Sequence, residues 1–409
     1  MPYILLKNKS TLNYSKIIGF FILILGCFSG QNQDLAKKTD PLLDDGKLYT
    51  GAEITSAYVD LLRGKTIGMV VNQTSVIKDS HIVDSLLTLG LDVKTIFAPE
   101  HGFRGNADAG EKVLDGIDVN TGLPLVSLYG KNKKPTPEQL KGIDVLLFDI
   151  QDVGVRFYTY ISTLHYIMEA GAENNIPVVV LDRPNPNIHY VDGPILKPEF
   201  KSFVGMHPVP VVYGMTIGEY AQMINGEGWL TDGAKCTLTI VPCGNYERNL
   251  NYILPIKPSP NLPNTLSILH YPSLCFFEGT TLSVGRGTDH PFQSIGHPNL
   301  SGEFEFTPIP TSGAKYPKHE NKLCKGSDLR KVRPLENQLD LTYLIQFYKE
   351  ANAKEVQFFN DNNFFEKLAG TDQLRQMIIQ GKNANEIRDS WQDDINAFKQ
   401  TRIKYLIYN

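Results

Sequence analysis

Cysteine is scarce in this chain, five residues in 409, and none of the five stands at CxxC or zinc-ribbon spacing. That removes a thiolate metal module from consideration. A GxSxG elbow and an HExxH pair are also missing, so the signatures of serine hydrolases and zincins are absent. Gly285-Arg286-Gly287 has the outline of a phosphate loop but lacks the remaining glycines and the lysine, and nucleotide binding is discounted. No sign of charge dominates: 40 basic and 44 acidic residues are mixed along the chain, for a formal net charge of −4. Such a surface does not suit a polyanion, and nucleic acid is not an expected partner. No repeat or low-complexity tract occurs. No metal or cofactor is expected either; His207, His270, His290 and His297 are scattered among proline-containing loops and read as packing or hydrogen-bonding residues.

What is present begins at the amino end. Lys7, Lys9 and Lys16 precede the apolar run Ile17–Leu25, which ends in Ile24-Leu25-Gly26-Cys27 and passes into a polar stretch. The run falls short of the about 20 residues a helix needs to span a bilayer of roughly 30 Å. The layout is that of a bacterial lipoprotein signal, with residues 1–26 removed and Cys27 lipidated. Residues 27–49, polar and without period, read as a tether, and the expected location is the cell envelope, on its periplasmic side. A disulfide between Cys236 and Cys243 and buried free thiols are both open there.

From Thr50 the pattern is regular. Apolar strands are predicted at Thr66–Val71, Val93–Phe97, Pro124–Leu128, Asp144–Ile150, Pro177–Leu181 and Val209–Tyr213, with helices at His81–Leu89, Thr136–Lys141, Tyr160–Asn174 and Glu219–Asn225. Apolar strands alternating with helices imply an α/β fold, a parallel sheet covered on both faces. Thr216 and Glu219 fit a capping box. The style changes at Cys236, so residues 50–235 and 236–409 are taken as a larger and a smaller α/β domain. The smaller one opens with a strand at Thr237–Val241 and closes with helices at Leu341–Asn352, Asn363–Leu368, Asp372–Gln380 and Ala384–Tyr405.

In such sheets ligands bind beyond the carboxyl ends of the strands. Polar residues follow the strands there. Glu100, after Pro99, is flanked by His101 and Arg104; burial against Phe103 would suit it to be an acid, and Arg104 would suit it to be a base or nucleophile. Pairing with Arg104 merely to order the loop is the bland alternative. Asp149, Asp152, Arg156, Tyr158 and Tyr160 bring acid, cation and aromatic faces to one strand-to-helix turn, a mixture that suits sugar rings. A helix cap at Asp152 and a structural ion pair at Arg156 carry equal weight. Asp182, Arg183 and Asn185 follow another strand, Asn261 lies in a Pro- and Asn-rich stretch, and Glu278 with Arg286 sits among glycines that allow close backbone approach. Two carboxylates facing one cleft would support glycoside hydrolysis, with their separation deciding the stereochemical course.

The chain resembles the exo-β-N-acetylmuramidases over nearly all of its mature length. The resemblance is carried by Val71-Asn72-Gln73-Thr74-Ser75, Ala98-Pro99-Glu100-His101-Gly102-Phe103-Arg104-Gly105, the run Phe148 to Tyr160, Leu181-Asp182-Arg183-Pro184-Asn185-Pro186, Phe277-Glu278-Gly279-Thr280, Ser283 to Thr288 and Leu368-Ala369-Gly370-Thr371. It implies a Rossmann-like domain joined to a smaller α/β domain with the active cleft between them. It also implies removal of terminal N-acetylmuramic acid from peptide-free wall fragments. On that expectation Glu100 is the principal catalytic carboxylate, Glu278 or Asp152 its helper, and His101 an orienting or proton-handling neighbour. The lactyl carboxylate of muramic acid calls for an arginine fork, with Arg104, Arg156, Arg183 and Arg286 as candidates. A non-catalytic lipoprotein that captures muramyl sugars is the rival reading.

Overall fold

Seven strands make the main sheet of the computed structural model, which describes residues 45–100, 102–103, 115–130 and 132–409. They are β1 (Thr66–Val71), β2 (Asp92–Ala98), β3 (Gly116–Ile117), β4 (Pro124–Ser127), β5 (Val145–Asp149), β6 (Val178–Leu181) and β7 (Leu238–Val241). Their order is β3-β4-β2-β1-β5-β6-β7, parallel throughout except where β3 meets β4. With the short β3 set aside, this is the Rossmann order, and the chain reverses its direction of travel across the sheet between β1 and β5.

The central strands β1, β5 and β6 are buried almost throughout because both faces of the sheet are covered there. Their period of two divides them between two cores. Ile67, Met69 and Val71 of β1 face one, with Leu147, Leu181 and helix α1 (Ile82–Thr88). Val70, Phe148 and Val180 face the other, against α2 (Tyr160–Glu173) and α3 (Ile217–Gly226). The Thr216 capping box forms as expected: Glu219 N donates to Thr216 Oγ1 at 3.2 Å and Thr216 N to a Glu219 carboxylate oxygen at 3.0 Å.

The second core does not stop at the sheet. It runs on through α4 (Thr265–Leu274), through Ile295 of β8 (Ser294–His297), which forms a three-stranded antiparallel sheet with β9 (Phe304–Phe306) and β10 (Cys324–Asp328) in the order β8-β10-β9, and through the helices α5 (Thr342–Ala353), α6 (Phe364–Ala369), α7 (Gln373–Ile379), α8 (Ala384–Asp389) and α9 (Gln392–Arg402). Everything described belongs to one compact unit. The carboxyl end returns to the large sheet, where Tyr408 donates its hydroxyl to Asp182 at 2.6 Å.

Four expectations change. The strand placed at the opening of the smaller domain is β7, the last strand of the large sheet, which therefore takes in residues beyond 235. Val209–Tyr213 forms only isolated bridges through Val212, since Pro208 and Pro210 have no amide to give a ladder. The predicted helix Ala384–Tyr405 breaks at Ser390-Trp391, where Trp391 turns inward to donate to Asp192 at 2.8 Å. Helix α4, with Asn264 accepting from Ser267 N at 2.9 Å, was hidden by Pro272 and by the proline-rich run before it. Cys236, Cys243, Cys275 and Cys324 are buried free thiols, so no Cys236–Cys243 bridge forms.

Candidate active site

Beyond the carboxyl ends of β2, β4 and β5 lies a pocket of about 520 Å³. Glu100 reaches it two residues after β2. A turn closed by Gly102 N on Pro99 O (3.0 Å) sets the loop, and Phe103, packed edge-on against His81, anchors it in the core. The Glu100 carboxylate accepts from Thr159 Oγ1 at 3.0 Å, and its carbonyl from the Tyr160 hydroxyl at 3.4 Å. Thr159 is the residue before α2, so sheet and helix together aim the carboxylate.

The opposite wall comes from the later part of the chain. Past Pro272, α4 tightens into a 3-10 turn, Cys275–Gly279, which carries Glu278. Arg286 Nε meets Glu278 Oε1 at 2.9 Å while its guanidinium lies over Phe292. The two other guanidinium nitrogens make no hydrogen bond among the described residues. Lys318 Nζ donates to the carbonyls of Phe277, Glu278 and Thr280 at 2.9, 3.1 and 2.6 Å. Burial alone would push the Glu278 carboxyl up, but the adjacent Arg286 and Lys318 charges outweigh it and hold the carboxyl below its ordinary range. Phe157, Tyr158, Tyr271 and Phe292 supply aromatic walls, and Asn261 lines the floor, donating to Gly313 O at 2.5 Å.

Of the residues singled out from sequence, the pocket brings together Glu100, Glu278, Tyr158, Asn261 and Arg286. It does not include the others that are described. Asp152 is buried away from it, taking the Gly154 amide at 2.7 Å and the Tyr213 hydroxyl, and burial raises its carboxyl to about 6 despite those bonds. Arg156 is fully buried and donates to four main-chain carbonyls, those of Pro194, Val209, Leu368 and Ala369. Arg183 is locked on Asp149 at 2.5 and 2.8 Å. Asp182 accepts from Thr216, Gly218 and Tyr408. Asn185 bonds Met215 O at 2.8 Å and packs where a side chain on Gly154, itself at φ +76°, would have to go. Tyr160 is buried and does not line the pocket; its ring packs edge-on against Tyr158 and its hydroxyl donates to the Glu100 carbonyl. These residues shape the loops that deliver Glu100 and Tyr158. His101, Arg104 and Cys27 lie outside the described residues.

Lys318 and Tyr316 are pocket residues that sequence reasoning missed. Both sit in the loop between β9 and β10, where no motif or period marks them. Tyr316 is 91 % exposed and presents its ring at the mouth of the pocket. No group of three or more His, Cys, Asp or Glu among the described residues could hold a metal ion. No helix there is long and apolar enough to cross a membrane.

Two family profiles match most of the chain: the N-terminal part of the exo-β-N-acetylmuramidase NamZ matches residues 67–266 and its C-terminal part residues 269–408. The chain belongs to the NamZ family. The peptidoglycan β-N-acetylmuramidase NamZ of Bacillus subtilis (strain 168) is 41 % identical over 387 residues, 88 % of this chain and 92 % of that protein. Two solved structures of DUF1343 family proteins from Bacteroides fragilis NCTC 9343 share the fold. One has 46 % identity and a TM-score of 0.82 over 89 % of this chain and 99 % of its own. The other has 30 % identity and a TM-score of 0.77, with 88 % and 99 % covered. The NamZ profiles meet between residues 266 and 269, inside α4, so the two family halves share the helix that leads to Glu278.

Proposed function

We propose that this protein is an exo-acting glycoside hydrolase that releases terminal N-acetylmuramic acid from the non-reducing ends of peptidoglycan fragments, cutting the β-1,4 bond to N-acetylglucosamine in wall turnover. The observation that carries it is the placing of Glu100 and Glu278 on one aromatic-walled pocket, the described carboxylates that line it. Glycoside hydrolysis needs such a pair. A receptor for muramyl sugars needs none. The activity for which the Bacillus subtilis relative is named supports the same reading.

Glu278, held as an anion by Arg286 and Lys318, is suited to stabilise the oxocarbenium-like transition state or to direct the attacking group. Proton donation to the leaving oxygen then falls to Glu100, with His101 beside it in sequence as a proton-handling neighbour. The unused guanidinium nitrogens of Arg286 suit the lactyl carboxylate, and Arg104 is the second candidate for that task. Incubation of the purified protein with a chromogenic muramic acid β-glycoside tests the reading: colour is expected, and binding without colour would make the protein a receptor.

The amino-terminal layout supports a lipoprotein of the cell envelope, periplasmic in address and anchored through Cys27. Mass spectrometry of the mature amino terminus should find a diacylglyceryl group on Cys27, and Cys27→Ser should leave the protein unacylated.

A further inference from the structure

Lys318 reaches the pocket from a loop outside the large sheet. Its loop, between β9 and β10, is pinned to the glycine-rich segment behind Glu278: Ile309 N donates to Gly287 O at 2.9 Å, and the His319 ring bonds Thr281 O at 2.7 Å. At Gly287, φ +81°, any side chain would strike Ile309 O and Pro317, so loop and segment lie in direct contact. An ammonium has three protons and no acceptor. The carbonyls of Phe277, Glu278 and Thr280 take all three, with that of Leu282 at 3.4 Å closing the cage. A lysine thus occupies the sort of carbonyl cage that would otherwise suit a small cation, and the 3-10 turn that bears Glu278 is wrapped around it.

We propose that Lys318 is a positioning residue for the reaction: its caged ammonium fixes the main chain of the Glu278 turn and thereby sets where that carboxylate stands in the pocket. This inference rests on the hydrolase reading above. Two cations then serve one carboxylate in different ways. Arg286 bonds the Glu278 carboxylate, and Lys318 bonds the Glu278 main chain. The groups facing Glu278 and its cage are these two cations together with Tyr271 of α4 and Cys275 of the same turn. With Lys318 removed, the carbonyls converge on empty space and repel one another, the turn loosens, and the carboxylate loses a stabilising positive charge.

The test is kinetic. Lys318→Met keeps the length of the side chain and deletes the ammonium. The expected result is a folded protein whose KM stays within about threefold of wild type, whose kcat drops at least about tenfold, and whose acidic kcat limb moves to higher pH as Glu278 becomes harder to ionise. In a Glu278→Gln background the same substitution should have little further effect on kcat, because its target is gone. A folded Lys318→Met enzyme with wild-type kcat and an unmoved acidic limb would overturn the proposal. If Lys318→Met does not fold, Lys318→Arg decides: reduced kcat at unchanged KM supports the role, and wild-type kcat overturns it. Failure of both variants to fold would make Lys318 a residue of folding only and overturns it too. Absence of hydrolysis by the wild-type protein would instead sink the hydrolase reading itself, independently of either variant.

Discussion

Arg286 holds Glu278 through Nε alone, at 2.9 Å; both residues line the pocket, and the two other guanidinium nitrogens of Arg286 make no hydrogen bond among the described residues. One arginine can therefore fix a carboxylate of the enzyme and receive a carboxylate of the ligand. Removing it as Arg286→Met should weaken inhibition by free N-acetylmuramic acid about ten- to a hundredfold, the value of a charge-assisted bond. Inhibition by N-acetylglucosamine, which lacks the lactyl group, should change little. Inhibition constants for the two sugars check this; equal losses for both would count against an arginine-lactyl contact.

The two carboxylates should differ by leaving group. A nitrophenolate departs without a proton, whereas a sugar does not. Glu100→Gln is expected to lower turnover of the wall-derived disaccharide by about 10²–10⁴-fold while sparing much of the activity on a nitrophenyl muramic acid glycoside. Glu278→Gln should lower both. Steady-state rates on the paired substrates give the comparison, and a reversed pattern would exchange the two roles.

Arg156 should prove structural. Its guanidinium closes four carbonyls from three separate stretches, Pro194, Val209 and Leu368-Ala369. Arg156→Met leaves those carbonyls buried without a donor, and a loss of about 3 kcal/mol or more in unfolding free energy is expected. Denaturant titration measures the loss. KM of the folded fraction should stay at the wild-type value, and a large rise in KM without loss of stability would return Arg156 to the ligand.

A buried histidine pair should give stability a pH slope. His165 Nδ1 and His207 Nε2 stand 3.0 Å apart, with Glu169 3.8 Å from His165 on its other side. Burial lowers His165 to about 4, and His207 moves the same way. The unfolded chain then binds protons that the native state refuses, so this contribution to stability is complete above about 6.5 and is lost as pH falls toward 4. Asp152 and Asp182, raised by burial to about 6, act in the opposite sense over an overlapping window. The difference between wild type and His165→Gln isolates the histidine. The variant should lose up to about 3 kcal/mol less between pH 6.5 and 4, measured by denaturant unfolding at each pH.

The large sheet was legible because its centre is buried on both faces, which leaves uninterrupted apolar runs such as Val145-Leu146-Leu147-Phe148 and Val178–Leu181. The rule that ligands meet the carboxyl ends of parallel strands then pointed to Glu100 and Tyr158, and the glycines around Glu278 and Arg286 marked the other wall. Asp152, Arg156 and Arg183 misled for one reason. A polar side chain that follows a strand looks the same in sequence whether it faces a ligand or a ring of carbonyls, and only its spatial neighbours distinguish the two. Lys318 and Tyr316 carried no signal at all, since a loop has no period to break.

Composition and periodicity alone determined the α/β class, the central parallel strands β1, β2, β4, β5 and β6 and the loop that presents Glu100, because those follow from which residues avoid water along a short stretch of chain. Only the tertiary structure decided which acids and cations share a pocket. That pairing joins Glu100 on the sheet to Glu278, Arg286 and Lys318 far along the chain, and electrostatic partners are chosen by distance in space.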